Sequence, residues 1–176
     1  MRKIFRLLRY DLPLHFVLLL TNWLPDNTPF LRLRGGLARL FIGYCGRNLR
    51  LGRNVSFYNP SVISIGNDVY IANGCWFMGG EIIQVGDEVI FGPYCVVVSS
   101  AHTRFQGSYR YGEPRQMAIK ISRGCWLSAH VTVTGGSTIE GGTLIAAGAI
   151  INGEIPSDVV AGGRPARVLK KVEDDQ

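Results

Sequence analysis

Residues 121–151 read ISRGCWLSAHVTVTGGSTIEGGTLIAAGAII, and this stretch decides the fold because a large aliphatic residue recurs at every sixth position. The recurring residues are Ile121, Leu127, Val133, Ile139, Ile145 and Ile151. Small or β-branched residues stand four positions after the first five of them: Cys125, Val131, Ser137, Thr143 and Ala149. A six-residue period fits neither an α-helix nor a simple alternating strand. It predicts a solenoid of short parallel strands that turns a corner every six residues, with one bulky side chain per side pointing inward.

The same period extends upstream of this stretch in shorter runs. Its members are Leu51, Phe57 and Ile63, then Ile65, Ile71, Phe77 and Ile83, and then Val85, Phe91 and Val97. Each restart is offset by two residues, which a slightly larger corner can absorb. After Ile151 the period shifts to Ile155 and Ala161. We therefore expect the solenoid over residues 51–163 and a basic C-terminal segment and tail over residues 164–176.

One segment interrupts the period. Residues 98–120 read VSSAHTRFQGSYRYGEPRQMAIK, which is polar, aromatic and glycine-containing. An insertion in a solenoid forms a loop on one face, and that face is often the binding face. We predict a protruding loop here, with His102 at its first turn.

Residues 1–50 form a basic and apolar segment for which we predict helices. Asp11, Pro13 and His15 interrupt its apolar run, which argues against a signal peptide. The uninterrupted apolar part, 16–20, is far shorter than the roughly 20 residues that span a bilayer. Two interpretations stay open: the segment caps the open end of the solenoid, or residues 1–45 contact an anionic membrane surface.

Charge and cysteine usage narrow the functional classes. Residues 1–53 carry a net charge of +8 and the remainder −2, which is not a general nucleic-acid signature, so we expect no nucleic-acid partner. Cys75, Cys95 and Cys125 share one inward position of the period, and the chain has no CxxC pair. Zinc ribbons and thioredoxin-like chemistry are therefore excluded. We predict buried, reduced thiols, with a stacked disulfide as the alternative.

The three histidines are the candidates for proton transfer. His15 lies in the apolar N-terminal segment, and His130 lies on the outward side of a coil; for both we expect structural or surface roles. His102 lies where a rigid coil meets the irregular loop, and a histidine there can accept a proton near neutral pH as a general base. No GxSxG elbow, P-loop or dinucleotide fingerprint is found. We expect no metal site, because three histidines on adjacent coils are not available.

Three motifs carry a resemblance to a known family: VGDEVIFGPYCVVVSSAH, ISRGCWLSAHVTVTGG and LIAAGAIINGEIPSDVVAGGRPARVLKK. With their spacing, the region from Ile65 to about Lys171 resembles the hexapeptide-repeat acyltransferases, and among them the maltose, galactoside and polysaccharide-cluster sugar O-acetyltransferases. The resemblance implies a left-handed parallel β-helix, a homotrimer, and acetyl-CoA in the groove between neighbouring solenoids.

The resemblance also implies site residues. His102 matches the histidine that deprotonates the acceptor hydroxyl in a direct-transfer ternary complex. The backbone N–H of Ala129 matches the amide on the oxyanion side, Ala147 the pantetheine contact, and Trp126 the tryptophan that lines the groove. The cations expected to meet the phosphates of CoA are Arg164, Arg167 and Lys170.

The chain departs from the family pattern around the acceptor. The galactoside enzymes carry an asparagine after the residues FM, but here FM is followed by Gly79 and Gly80. A lysine common near CoA is replaced by Gly153, and Arg164 is our candidate substitute. Glu81 is the candidate partner that orients His102 and contacts the acceptor. The loop residues expected to meet a carbohydrate acceptor are Arg104, Tyr109 and Tyr111, together with Phe105 and Arg110.

The implied function is O-acetylation of a sugar hydroxyl in surface polysaccharide or lipopolysaccharide biosynthesis, with a sugar or lipid-linked oligosaccharide as acceptor. We expect a cytoplasmic protein, with the inner face of the cell membrane as its possible peripheral site. Two alternatives remain: N-acetylation of an amino sugar nucleotide, and a non-catalytic solenoid that serves as a scaffold.

Overall fold

The structure, a computed structural model, describes residues 2–173 and begins with helices. The helical segments are α1 (Arg2–Arg6), a π-helical segment (Leu7–Asp11), α2 (Leu12–Thr21), α3 (Thr28–Ala38) and a 3₁₀ turn (Arg39–Phe41). Asn27 caps α3, because its side-chain oxygen accepts a hydrogen bond from the Phe30 N–H at 3.4 Å. None of the helices described over residues 2–173 has both the length and the apolar character needed to cross a bilayer.

The rest of the chain winds into a three-sided parallel β-helix, and we number its strands in chain order. Sheet A contains β1 (Tyr44–Cys45), β4 (Ile63–Ile65), β7 (Ile83–Val85), β12 (Ile119–Ile121), β15 (Thr138–Ile139) and β18 (Glu154–Ile155). Sheet B contains β2 (Arg50–Leu51), β5 (Tyr70–Ile71), β8 (Ile90–Phe91), β13 (Trp126–Leu127), β16 (Leu144–Ile145), β19 (Val159–Gly163) and β20 (Ala166–Lys171). Sheet C contains β3 (Ser56–Tyr58), β6 (Trp76–Met78), β9 (Val96–Val98), β14 (Thr132–Thr134) and β17 (Ile150–Ile151). Successive coils therefore place equivalent residues directly above one another.

The inward positions of the six-residue period form the core, as the sequence predicts. Between residues 121 and 151, the six large aliphatics and the five small residues four places on are all at most 1% exposed. Upstream, Phe77 stacks on Phe57 and meets Phe91 edge to face, with ring centroids 5.2 Å apart in both pairs. The predicted left-handed β-helix, with an N-terminal helical segment and a protruding loop, is confirmed.

The corners of the prism repeat one backbone conformation from coil to coil. Between sheets A and B the residues with positive φ are Asn48, Asp68, Glu88, Gly124, Gly142 and Asp158. Between sheets B and C they are Asn54, Gly74, Tyr94, His130 and Gly148. Glycine, asparagine and aspartate tolerate this left-handed region best. The corners between sheets B and C therefore form a straight edge on which main-chain groups line up.

The helices cover the first coil of the solenoid. Leu14 and Leu18 of α2 and Ala38 of α3 belong to the same buried cluster as the inward residues of the coils. Arg34 of α3 is fully buried, and its guanidinium donates to the carbonyl oxygen of Leu51 at 2.7 Å. The N-terminal segment thus acts as a cap, which is one of the two interpretations that the sequence left open.

Two boundaries differ from those expected. The first strand, β1, lies before residue 51, because Tyr44 and Cys45 pair in parallel with Ser64 and Ile65 of β4. Only glycine fits at position 43 just before it, since a Cβ there would lie 2.3 Å from the Ser61 carbonyl oxygen. The basic segment after residue 163 is a strand, because β20 pairs antiparallel with β19 as far as Lys171. Residues 174–176 of the expected tail lie outside the described residues.

The cysteines are all free thiols, so the alternative of a stacked disulfide is wrong for this structure. Cys75, Cys95 and Cys125 are fully buried, as predicted. Burial raises the pKa of the Cys125 thiol and raises that of the half-buried Cys45 to about 11. Because the thiolate is the reactive form, the thiols of Cys45 and Cys125 are expected to be chemically inert.

Candidate active site

The loop that carries His102 rises from a short antiparallel stem. Two strands form the stem, β10 (Ser100–Ala101) and β11 (Arg115–Gln116), in which Ala101 pairs with Arg115. His102 follows β10 directly, and its side chain is exposed. The irregular part of the insertion therefore covers residues 102–114, and His102 stands at the point where the regular coil ends.

Ser99 fixes the base of this loop, a role that no pattern in the sequence predicts. Its side chain is fully buried, and its hydroxyl donates to the carbonyl oxygen of Glu81 at 2.7 Å. The same oxygen accepts the backbone N–H groups of Gly80 and Glu81, both at 3.0 Å. Three short hydrogen bonds on one hydroxyl tie the preceding coil to the root of the loop and limit the movement of His102.

One oxygen of the Glu81 carboxylate is held by the adjacent backbone, since Oε1 accepts the N–H of Ile82 at 3.0 Å. Ser99 holds the Glu81 backbone at the loop base. The partnership of Glu81 with His102 stays a prediction.

The other acidic residue near the loop stem is Glu113, whose backbone lies opposite Thr103. Glu113 is the only acidic residue between positions 98 and 120. The Thr103 hydroxyl donates to the carbonyl oxygen of Glu113 at 2.6 Å, which extends the stem pairing by one step beyond His102. The pairing brings together residues ten or more positions apart, so the sequence alone did not identify Glu113.

The predicted acyl and cofactor amides lie along the edge between sheets B and C. Ala129 and Ala147 occupy equivalent corners of adjacent coils, and the Ala129 carbonyl accepts the Gly148 N–H at 2.9 Å. Gly92 lies below Ala129, where a Cβ would come within 2.8 Å of the Ala129 nitrogen. Among the described residues, neither the Ala129 nor the Ala147 N–H donates to a backbone acceptor outside the strands. Two N–H groups are thus available on one edge for a ligand.

The predicted cations reach the same edge and the adjacent face of sheet B. The Arg164 Nε donates to the Gly148 carbonyl at 2.8 Å, beside Ala147. Trp126 and Lys170 line a cavity of about 420 Å³ on sheet B. Arg167 lies on β20 and donates to the Ala166 carbonyl at 2.7 Å. Arg164 therefore lies at the edge that carries Ala147, and Trp126 and Lys170 lie together on sheet B.

The loop residues predicted to meet the acceptor are exposed. Arg104, Tyr109 and Tyr111 all lie on the irregular part of the loop, which is closed by a bridge between Phe105 and Ser108. Arg110 lies over the ring of Tyr111, with its guanidinium carbon 5.8 Å from the ring centroid. These side chains contact water in the single chain, so they are free to meet a ligand or another copy.

The two glycines that replace the family pattern lie where larger side chains do not fit. A Cβ on Gly79 would lie 2.6 Å from a Val62 methyl group, and a Cβ on Gly80 would lie 2.5 Å from the Ser100 Cβ. An asparagine at either position would have to push the adjacent coil or the loop aside. Acceptor recognition must therefore use other residues.

Within one chain, His102 and the amide row lie on opposite edges of sheet C. Ala129 precedes β14 and His102 follows β9, and these two strands pair in parallel. A three-residue strand separates the edges by roughly 10 Å, at about 3.3 Å per residue. A catalytic centre that uses both groups therefore requires the edges of two copies to meet.

Comparisons with known proteins point to one group of enzymes. No family model matches this chain. Galactoside O-acetyltransferase of Escherichia coli (strain K12) is 28% identical over 141 residues, which cover 80% of this chain and 70% of that protein. A candidate acetyltransferase of Staphylococcus aureus (strain COL) is 33% identical over 113 residues, and this chain spans only 57% of its length.

Solved structures agree in fold over nearly the whole chain. A maltose O-acetyltransferase from Clostridium difficile 630 has a TM-score of 0.83 and 25% identity, covering 96% of this chain and 89% of that one. A galactoside acetyltransferase in complex with coenzyme A has a TM-score of 0.81 and 26% identity, covering 93% and 80%. An N-acyltransferase from Bacillus cereus, at 19% identity and a TM-score of 0.61 over 79% and 89%, shares the fold alone.

Proposed function

Because this chain belongs to the hexapeptide-repeat acyltransferases, we propose that it transfers an acetyl group from acetyl-CoA to a sugar hydroxyl. The observation that carries the proposal is the pairing of an exposed histidine on one edge with a row of free amides and arginines on another. The reaction needs a base, an oxyanion donor and a site for a phosphate-bearing donor, and each has a candidate group.

In the proposed mechanism His102 acts as general base. Its imidazole takes the proton of the acceptor hydroxyl while the hydroxyl oxygen forms a bond to the thioester carbonyl carbon. The Ala129 N–H donates to the carbonyl oxygen as negative charge develops there. The carbon–sulfur bond then breaks, and the imidazolium returns its proton to the departing thiolate, so charge and atoms balance.

We assign Glu113 as the residue that positions the His102 ring. It is the only acidic residue between positions 98 and 120, and its backbone carbonyl accepts the hydroxyl of Thr103, the residue after His102. A carboxylate that accepts an N–H of the ring fixes its tautomer and stabilises the imidazolium. Glu113→Gln should lower kcat with little change in KM and alter the pH profile, because the amide keeps the shape but loses the charge. An unchanged pH dependence of kcat would show that Glu113 does not position the His102 ring.

Acetyl-CoA supplies the activated acetyl group, and the chain offers a fitting surface for it. The backbone N–H groups of Ala129 and Ala147 can donate hydrogen bonds to the acyl and pantetheine carbonyls, and Trp126 offers a flat face. Arg164, with one N–H already used on Gly148, keeps further donors free for phosphate, together with those of the nearby cations Arg167 and Lys170.

The acceptor is proposed to lie between the loop and the corner at Glu81. Arg104, Tyr109 and Tyr111 offer stacking faces and hydrogen-bond donors that suit a sugar, in surface polysaccharide or lipopolysaccharide synthesis. An amine on the acceptor would serve the same geometry, so N-acetylation of an amino sugar nucleotide is the second candidate. Mild base separates them, because it hydrolyses an ester product and leaves an amide intact.

We further propose a homotrimer in the cytoplasm. A closed ring of copies brings His102 of one chain to the amide row of the next, which one chain cannot do alone. Free buried thiols are consistent with a reducing compartment. Light scattering on the purified protein tests the trimer, and a monomer with full activity would contradict it. Peripheral membrane contact through residues 1–45 is treated in the next subsection.

The central test is His102→Ala, measured as release of free CoA with sugar acceptors. Removal of a general base is expected to lower kcat by roughly 100- to 10,000-fold. Calorimetric CoA binding should be retained, because His102 is not part of the donor surface of its own chain. His15→Ala is the matched control and should keep full turnover. Unchanged turnover in His102→Ala would exclude it as the base, and wild-type protein that binds no CoA would favour the scaffold alternative.

A further inference from the structure

The N-terminal helices expose a broad apolar surface, which we call the N-terminal face. Its members are large side chains that are at least one-third exposed: Ile4, Phe5, Leu7, Leu8, Leu12, Phe16, Leu19, Leu20, Trp23, Leu33, Leu37 and Leu40. Scattered single exposed apolar residues are ordinary on a protein surface. A contiguous group of exposed apolar residues on two adjoining helices is unusual, and it marks an interaction surface.

This face lies opposite the side of the helix that covers the solenoid. Leu14, Leu18 and Thr21 are buried, while Phe16, Leu19 and Leu20 between them are exposed. At 100° per residue these two sets occupy opposite sides of α2. The helix is therefore apolar all round although only one side is buried by its own chain. A helix of this kind needs a second apolar environment.

The two helical layers contribute to one surface rather than to two. The Arg9 guanidinium donates to the carbonyl of Leu40 at 2.9 Å and lies over the ring of Phe41, 5.9 Å from its centroid. This contact joins the π-helical segment to the 3₁₀ turn after α3. Leu8 and Leu40 therefore border the same arginine.

The charge that surrounds this face is positive. Residues 1–53 contain ten Lys and Arg and only two acids. Asp11 is paired with Arg6 at 3.1 Å, and Asp26 with Arg34 at 3.1 Å and with Arg53 at 3.6 Å. The exposed cations left around the apolar side chains are Lys3, Arg9, Arg32 and Arg39.

We propose that the N-terminal face docks onto an anionic lipid bilayer, with its apolar side chains in the headgroup–acyl boundary and its cations on the headgroups. Leucine, phenylalanine and tryptophan mixed with lysine and arginine are typical of helices that lie in the interface plane. Each cation near such a surface contributes about 1 kcal/mol. A symmetric contact between two copies would bring two positive faces together, which disfavours that occupant.

Docking would present lipid-linked acceptors to the proposed active site, and this consequence rests on the proposed function. Val98, Met78 and Tyr58 are stacked in register in sheet C, and Arg6 lies over the Tyr58 ring at 6.0 Å. Arg6, which lies between Phe5 and Leu7 of the N-terminal face, therefore contacts the same edge of sheet C from which the loop with His102 departs. Tyr58 and Val98 are two coils apart on that edge, which is about 10 Å at the usual strand spacing.

Vesicle co-sedimentation of the full chain tests the docking. The probes are vesicles of phosphatidylcholine alone and of phosphatidylcholine with phosphatidylglycerol, each at low and high salt. We expect binding only to the anionic vesicles, weakened by salt. Leu8→Glu should reduce it at least about tenfold, since a charged side chain replaces an apolar one that docking would bury. Leu169→Glu is the matched control, because Leu169 and Leu8 are 64% and 62% exposed and lie at opposite ends of the chain.

The assay measures lipid binding without acetyl transfer, so its failure is distinct from failure of the proposed function. Equal loss of binding in both variants, or binding that ignores lipid charge and salt, overturns the proposal. So does a change of oligomeric state in Leu8→Glu with vesicle binding intact, because the face would then be a contact between copies. Thermal unfolding of each variant shows that the fold is retained.

Discussion

Replacing Arg34 with methionine removes a fully buried charge that holds the helical cap on the solenoid. The guanidinium donates to the carbonyls of Leu51 at 2.7 Å, Thr21 at 3.0 Å and Leu24 at 3.0 Å. It also donates to Asp26 at 3.1 Å. Burial lowers the pKa of Arg34, and the neighbouring carboxylate of Asp26 partly offsets this by raising it. Arg34 therefore joins the α2–α3 connection to the first coil through a single side chain.

The expected destabilisation follows from what the substitution leaves behind. Removing one member of a buried ion pair costs about 3–5 kcal/mol. The Asp26 side chain is a quarter exposed and keeps Arg53 nearby, so water and that arginine stabilise the remaining charge. Three carbonyls lose a donor in a site that methionine fills with apolar atoms. We therefore expect a loss at the lower end, about 3 kcal/mol in the free energy of unfolding.

Urea denaturation at one fixed protein concentration measures the effect, because association would otherwise shift the midpoint. Arg32→Met is the matched control on the same helix, and this exposed site should change the free energy of unfolding by less than about 0.5 kcal/mol. The loss in the free energy of unfolding for Arg34→Lys should lie between those of the two methionine variants, since lysine keeps the charge but cannot form the planar, multidentate hydrogen bonds of a guanidinium. A midpoint for Arg34→Met equal to that of Arg32→Met would refute the reasoning.

Three further outcomes are expected. Arg164→Ala should raise KM for acetyl-CoA with kcat retained, and steady-state kinetics would contradict this if KM stayed constant. Gly80→Asn should lower the free energy of unfolding by about 1–3 kcal/mol, because its Cβ would clash with Ser100. An unchanged urea midpoint would show that the loop moves to make room for the side chain. Hydrogen bonds from the Asn67 N–H and side chain lower the pKa of Asp87. The stability that this carboxylate contributes is thus complete above about pH 4 and is lost as the pH falls further. Asp87→Asn should therefore make the free energy of unfolding, measured by urea denaturation, less dependent on pH below about 4, and an unchanged dependence would contradict the assignment.

The sequence predicted the coils because their physical constraint is local and repeated. A bulky residue at every sixth position points inward whatever the rest of the chain does, and all those between Ile121 and Ile151 do so. Strand β1 was not predicted because it has only two residues, Tyr44 and Cys45, and follows closely on the apolar pattern of α3 and its 3₁₀ turn. The periodicity did not predict strand β20, because an antiparallel edge strand carries no six-residue period.

The site was predictable only in part. His102 stands at the end of a regular coil, so the break in the period made it a candidate, and the family resemblance supplied its predicted role as the base. Glu113 depends on a pairing across the loop stem, and Ser99 on three hydrogen bonds to a neighbouring coil. Contacts of this kind join residues that are far apart in sequence or belong to different coils, so composition and periodicity do not predict them.

The β20 strand also determines how copies of this protein can meet. A solenoid has two open ends, and exposed strand edges at an end invite another chain to add on. Here the helical cap covers the first coil, and β20 occupies the free edge of β19 in sheet B. End-to-end stacking into filaments is thereby disfavoured, and the lateral edges are left as the sites of association. A chain shortened to end at residue 163 should expose the β19 edge and tend toward elongated, concentration-dependent assemblies.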